Sequence, residues 1–264
     1  MQATIDGIRI SYTDSGQGPR ILLFIHGFPL CREAWAQQIP AFAPTHRVLA
    51  PDLRGLGESE TTEGATDMAR YADDLAALLV ALKIKQATLI GHSMGGYVAL
   101  AFMERHPDRV GGLVLVGTRA GADSAAAAAK RRATAVKVRT EGPAFLVEDM
   151  TPKMLAANNR DHELAQQVRA LMAPSKAAGV ASALEGMANR PDMTARLGQI
   201  QVPTLVITGA EDTLIPPSES ELLAKHITGA ELAILPSAGH LVAFEQAEAF
   251  NGRLRAWLAG MDRN

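Results

Sequence analysis

Apolar residues in this chain fall into short unbroken runs, separated by longer stretches in which apolar positions recur every three or four residues. Runs at 21–25, 46–50, 87–90, 113–116, 203–207 and 232–235 are rich in Leu, Ile and Val and too short for helices, so each predicts a β-strand. Runs without alternation suit strands buried on both faces of a parallel sheet. Two further segments, 4–5 and 8–12, flank Asp6-Gly7 and predict an N-terminal hairpin. Helical spacing over 71–82 and 97–105, the second stopped by Pro107, places helices between strands. Alternation of this kind predicts an α/β fold with a mostly parallel central sheet flanked by helices.

The rhythm breaks between Arg119 and Leu197, where helical patterns persist without a strand-like run. Strand-like sequence returns only at Val202. The chain is therefore expected to divide into a core of residues 1–118 and 198–264 and a helical cap of residues 119–197. Such a cap would lie over the carboxyl edge of the sheet, where open α/β sheets bind ligands. Met150, Met154, Met172, Met187 and Met193, half of the ten methionines, lie in this insertion. Methionine can line an adaptable pocket, but filling gaps between helices is its commoner use.

Composition narrows the function classes. The 264 residues are 47% hydrophobic and 20% charged with a formal net charge of −2, which provides no field for steering nucleic acid or an anionic membrane, so neither partner is expected. Lys130-Arg131-Arg132, after a run of alanines, reads as a solvated helix face. The single cysteine, Cys31, excludes an intrachain disulfide and a cysteine-rich metal site, and reads as a small buried hydrophobe. The N-terminus has neither the basic nor the apolar region of a secretion signal, and the longest early apolar run, 21–25, is far too short to cross a bilayer. A cytoplasmic location is the expectation.

The candidate chemistry centres on Gly91-His92-Ser93-Met94-Gly95-Gly96, between the run at 87–90 and the helix at 97–105. A tight strand-to-helix turn here puts Ser93 at its apex with strained backbone angles, and a side chain two residues away on either side would collide with the returning helix. Gly91 and Gly95 relieve that crowding, and Gly96 lets the helix pack closer. The Gly-x-Ser-x-Gly spacing alone is moderately specific; its setting between strand and helix makes it informative. The competing reading is a serine that merely caps the helix.

A serine hydroxyl needs a base, and the base needs an orienting acid. Of the seven histidines, His106 and His226 fall at predicted helix C-termini, His46 opens a strand and His162 lies in the insertion. His92 adjoins the serine but should point elsewhere, as a packed structural residue. His240 follows the last strand run and so reaches the same sheet edge as Ser93, which makes it the expected base. Glu211 and Asp212 follow the run at 203–207 and reach that edge too; position alone leaves either as the acid. Backbone N–H donors for an oxyanion are expected from Met94 and from Phe28, in His26-Gly27-Phe28-Pro29 after the first long run. His26 reads as a hydrogen-bonded anchor of that turn.

These segments, together with Asp52-Leu53-Arg54-Gly55-Leu56-Gly57-Glu58-Ser59, Gly209-Ala210-Glu211-Asp212 and Gly239-His240, resemble the α/β-hydrolase fold superfamily over nearly the whole chain. Within it the chain is similar to small carboxylesterases, 3-oxoadipate enol-lactonases and meta-cleavage C–C hydrolases. The resemblance implies Ser93 as nucleophile, Asp212 rather than Glu211 as acid, His240 as base, and Phe28 and Met94 as oxyanion donors. It implies that 52–59 is a structural loop whose arginine and acid brace one another. Ser93 stands where haloalkane dehalogenases and epoxide hydrolases place an aspartate, which argues against those activities.

The expected function is hydrolysis of carboxylic esters with small to medium acyl chains through an acyl-enzyme, with a small ester or lactone as partner and no metal or organic cofactor. Two alternatives stand beside it. An enol-lactone or meta-cleavage C–C hydrolase would use Arg119 on a substrate carboxylate, although an exposed arginine at a cap hinge is the commoner situation. A hydrolase-like receptor would retain the triad without turnover. Oligomeric state is not readable from the sequence.

Overall fold

Alternate residues of a strand point to opposite sides of its sheet, and here both sides are covered. Leu22, Phe24, Val48, Ile90 and Val114 pack on one face with Trp35, Phe42, Phe250 and Leu254, whereas Leu23, Ile25, Leu49, Leu89 and Leu113 pack on the other with Tyr71, Leu75, Val98 and Phe102. Those two apolar layers explain the unbroken runs. The computed structural model describes residues 1–159 and 161–261, so the expected core boundary at 264 lies outside the described residues.

Eight strands form one sheet in the order β1-β2-β4-β3-β5-β6-β7-β8. They are β1 (Gln2–Ile5), β2 (Ile8–Ser15), β3 (Ile21–Ile25), β4 (Arg47–Pro51), β5 (Ala87–His92), β6 (Val110–Val116), β7 (Thr204–Gly209) and β8 (Glu231–Leu235). The hairpin β1–β2 and the β2–β4 pair are antiparallel, and every other pairing is parallel. Strand order runs outward from β3 to β4, then restarts at β5 on the other side of β3. Loops following β3 and β5 therefore face each other across a switch point at the carboxyl edge.

Ten α-helices accompany the sheet among the described residues: α1 (Gln38–Phe42), α2 (Met68–Ala81), α3 (Met94–Arg105), α4 (Ala125–Glu141), α5 (Ala144–Met154), α6 (His162–Met172), α7 (Ala177–Ala188), α8 (Pro217–His226), α9 (Val242–Glu245) and α10 (Ala247–Met261). Helices α4 to α7 occupy the interval between β6 and β7, which contains no strand among its described residues. Within it α4 packs on α7 and α5 on α6. Ser124 and Asp161 cap α4 and α6 by accepting the backbone N–H groups of Ala127 and Leu164. The insertion is tied to the core through Thr66 Oγ1 and Ser182 Oγ, 2.7 Å apart, and through Ser175 Oγ, which donates to Pro29 O.

Two expectations need correcting. The run at 232–235 is not buried on both faces: β8 is the edge strand, and Leu232 and Ile234 are 38% and 39% exposed while Ala233 and Leu235 turn inward. In the 52–59 loop, Arg54 does not brace an acid of the same loop. It reaches α2, where its Nε lies 2.7 Å from Asp74 Oδ2, and Asp52 is taken instead by Arg32. Both members of the Arg54–Asp74 pair are 4% exposed, and removing one partner of such a pair leaves an uncompensated buried charge. Asp74→Ala is expected to lower unfolding stability by about 3–5 kcal/mol in urea denaturation, whereas replacing the exposed Glu141 by Ala should have almost no effect.

Candidate active site

Strand β5 turns into α3 within one residue. Ser93 occupies that turn with φ 52° and ψ −115°, a conformation that side chains other than glycine seldom adopt. The sterics behind it are visible in the neighbours. A Cβ on Gly91 would lie 2.4 Å from Gly95 O, and one on Gly95 would lie 2.2 Å from Ile25 O. The Ser93 N–H donates to Val116 O (2.9 Å), and Ser93 O accepts from Thr118 Oγ1 (2.8 Å), so the end of β6 clamps the turn from both sides.

The loop after β3 rests on this turn. A Cβ on Gly27 would come within 3.1 Å of Ser93 Cβ and 2.7 Å of His92 Nδ1. His26 anchors the loop as expected: Nε2 accepts from the Leu53 N–H (2.9 Å), so Nδ1 carries the proton and donates to Gly27 O (2.8 Å). Burial lowers the His26 pKa, which keeps this tautomer neutral. Phe28, the next residue, lines a cavity that it shares with Ser93 and His240. The Met94 N–H belongs to the first turn of α3, where helical amides have no intrahelical acceptor.

His240 follows β8 and is 3% exposed. Its Nδ1 lies 2.8 Å from Asp212 Oδ2, and Asp212 Oδ1 accepts the N–H groups of Leu214 and Ile215, each at 2.9 Å. With every carboxylate contact accepting a proton, Nδ1 is the protonated ring nitrogen and Nε2 the basic one. Glu211, which position alone left open, is half-buried and has no part in this contact. Sequence-derived candidates Ser93, His240 and Phe28 thus border one cavity, with Asp212 directly behind the histidine.

None of the other histidines is among the residues that line this cavity. His92 donates Nε2–H to His240 O (2.9 Å), with the two rings 4.8 Å apart; burial and then the neighbouring His240 push its pKa down to about 3. His106 ends α3 but hydrogen-bonds Asp73 (2.8 Å), a side-chain partner beyond the helix dipole, while His226 bonds Leu222 O in its own last turn. His46 and His162 contact Thr45 and Gln166 on the surface. Cys31 is buried, and burial raises its thiol to about 11. Among the described residues no group of three or more His, Cys, Asp and Glu side chains is placed to hold a metal ion, and no helix is long and apolar enough to cross a membrane.

The cavity measures about 130 Å³. Its apolar wall comes from Met150 and Met187 of the insertion and from Leu214 and Ile215; Met154 and Met172 are packing residues. Arg119 and Arg131 form a cationic wall. Arg119, weighed as a carboxylate-binding residue against an exposed hinge arginine, is half-buried and lines the cavity; Arg131 was not expected there and turns inward while Lys130 and Arg132 stay in solvent. Both bind Asp123, whose side chain is 1% exposed and which also accepts from Arg190 (2.8 Å). Burial alone would raise Asp123; Arg131 and Arg190 outweigh it and hold the carboxyl down to about 2. Thr118 was also missed, although its place just past β6, beside β5, was a usable signal. For Arg131 no sequence signal existed, because its inward turn depends on the distant Asp123. A larger groove of about 620 Å³ lies at the opposite, amino edge of the sheet beside Arg47, Lys83 and Lys85, away from Ser93.

A family model described as the alpha/beta hydrolase fold matches residues 20–247. The chain is similar to 3-oxoadipate enol-lactonase 2 of Acinetobacter baylyi (30% identical, covering 96% of this chain and 94% of that protein). It is similar also to 2-hydroxymuconate semialdehyde hydrolase of a Pseudomonas species (32% identical, covering 97% and 92%). Among solved structures, a thermophilic esterase from Thermogutta terrifontis superposes with a TM-score of 0.95 at 40% identity, covering 99% of this chain and 98% of that one.

The neutral His92 has a consequence for stability. Its folded pKa of about 3 lies below its ordinary value of 6.5, so the unfolded chain binds a proton that the folded chain does not. The stabilisation it contributes is complete above 6.5 and is lost as pH falls from there toward 3. In His92→Asn the drop in unfolding free energy between pH 7 and pH 4.5 should shrink by up to about 1.4 kcal/mol per pH unit, measured by urea titration at each pH.

Proposed function

The chain belongs to the α/β-hydrolase family, and from that premise we propose that it is a serine hydrolase that cleaves carboxylic esters with small to medium acyl groups. The observation that carries the reading is a buried, singly oriented His240–Asp212 pair on the same cavity as a strained Ser93. His240 Nε2 takes the Ser93 hydroxyl proton while Oγ attacks the ester carbonyl. The Phe28 and Met94 amides hold the oxyanion, and the imidazolium then protonates the leaving alcohol. Water repeats the cycle on the acyl-enzyme. Asp212 holds the ring in the tautomer that this requires.

Residues 119–197 act in this reading as a cap on a core of 1–118 and 198–264: Met150, Met187 and Arg131 close the cavity from the insertion side. A cavity of about 130 Å³ is close to the roughly 150 Å³ that holds a benzene, so it suits an acyl group of up to about six carbons. Steady release of p-nitrophenol from the acetate and butyrate esters is expected, and Ser93→Ala should lower kcat by about 10⁴-fold or more. A single stoichiometric burst would favour a non-turnover receptor, and wild-type rates in Ser93→Ala would remove Ser93 from the mechanism.

A second reading is favoured by Arg119 and Arg131. Two guanidinium groups held on one carboxylate leave net positive charge on the cavity wall, which suits an ester or lactone that also carries a carboxylate, the enol-lactonase or meta-cleavage side of the family. Arg131→Gln leaves Asp123 paired to Arg119 and Arg190. Its kcat/KM should fall about tenfold or more for a half-ester such as mono-p-nitrophenyl glutarate and stay within about threefold for p-nitrophenyl butyrate. Equal effects on both esters would assign the arginines to structure alone.

A further inference from the structure

The loop that carries His240 is fastened to the helical insertion on both sides of the histidine. Gly239 donates its N–H to Glu245 Oε1 (2.7 Å). The other oxygen of that carboxylate accepts from the Ala156 N–H (2.8 Å) and from Asn159 Nδ2 (2.9 Å), both in the insertion just past α5. On the far side, the Leu241 N–H donates to Met154 O (3.0 Å). Asn159 Nδ2 also reaches Ser237 O (3.0 Å). The approach leaves no room for a side chain: a Cβ on Gly239 would lie 2.5 Å from Ala156 N and 2.6 Å from Leu155 C. None of these groups has a part in the proposed proton transfer.

We propose that Glu245 is a positioning residue for His240, a clasp whose two oxygens hold the loop of the base and the 154–159 segment of the insertion in one arrangement. The proposal rests on the reading of Ser93 and His240 as nucleophile and base. A carboxylate suits this place because all three partners are N–H donors, and ionised acceptors make the stronger hydrogen bonds. An amide does not replace it, since its NH2 group would face another donor. The side chain leaves the last residue of α9, a helix whose turn starts immediately after the base, so clasp and base share one short rigid segment. Releasing the clasp lets residue 239 drift and tilts the imidazole relative to Ser93, while the apolar wall of Met150, Met187, Leu214 and Ile215 stays in place. Chemistry then slows and substrate binding does not change.

The test compares wild type with Glu245→Gln and Asn159→Ala. Its readouts are kcat and KM for p-nitrophenyl butyrate, the second-order rate of Ser93 phosphonylation by a small fluorophosphonate, and the downfield proton resonance of His240 Nδ1. In Glu245→Gln, kcat and the phosphonylation rate should fall about tenfold or more with KM within about threefold, and the resonance should shift or broaden. Asn159→Ala removes one donor from the insertion side and should move all three readouts less, in the same direction. Thermal melts run in parallel, and if Glu245→Gln is unfolded at the assay temperature Asn159→Ala carries the comparison. Unchanged rates and an unchanged resonance in the folded variant overturn the proposal. A wild-type protein that is not phosphonylated at Ser93 overturns the nucleophile reading itself, and the clasp with it.

Discussion

The reversal of the backbone between β5 and α3 is the constraint on which the rest of the site depends. Chain direction changes within one residue, and the returning helix passes so close to β5 and to the end of β3 that side chains at 91 and 95 would overlap carbonyl oxygens. Strain of this kind costs on the order of 1–3 kcal/mol and persists only where its surroundings over-determine it. Here they do. The Ser93 backbone is held at its N–H by Val116 and at its carbonyl by Thr118, and the adjoining β5, α3 and β6 carry the fully buried Ile90, Val98 and Leu115. The same constraint brings the first amide of α3 and the loop of Gly27 and Phe28 to one point above the sheet. The nucleophile and the two oxyanion donors of the proposed mechanism would thus be products of a single steric solution.

Much of the fold was legible because its signals are local. The runs at 21–25, 87–90 and 113–116 are unbroken because both faces of β3, β5 and β6 are buried, and that requirement is written residue by residue. The run at 232–235 misled because an edge strand can carry the same composition with one face half in solvent. The candidate site divides in the same way. Ser93, His240 and Phe28 were placed by the strands that precede them, since parallel strands bring their carboxyl ends to one edge, whereas Glu211 and Asp212 are adjacent and were separable only by the resemblance. Arg131 and the Arg54–Asp74 pair were illegible for a physical reason. Each depends on a partner 8 to 20 positions away that is brought near by packing, and no local pattern records that.

Electrostatics in the site follow two opposite rules. His26 and His92 are buried without a carboxylate in hydrogen-bond contact, so desolvation dominates and both are held neutral as donors to backbone carbonyls. Asp123 is equally hidden, yet direct contact with arginines outweighs desolvation and keeps it ionised. A permanent anion at that point has a use. It fixes the directions of Arg119 and Arg131, which would otherwise extend into water, and so converts two flexible cations into a wall of defined position. Arg190, stacked 4.1 Å over the Tyr97 ring and bonded to Gly121 O, completes the support from behind.

With Glu245 as the proposed clasp, the insertion has two kinds of attachment to the core. The end of α5 and the segment after it are joined to the loop of His240 at Gly239, through Glu245, and at Leu241. The α4–α7 pair is seated on the core itself: a Cβ on Gly179 would lie 1.6 Å from Gly55 O and one on Gly186 1.8 Å from Thr66 O, Ser182 meets Thr66, and Val138, Val180 and Leu184 pack in the same apolar cluster as Leu53 and Tyr71. Those contacts fix where Met187 of α7 and Arg131 of α4 stand in the cavity wall, as the Asp212 contact fixes His240. In the proposed reading, an insertion seated at both places holds the arginines and the loop of His240 against one cavity, so a single wall would set the place of a substrate's anionic end and of its carbonyl relative to Ser93.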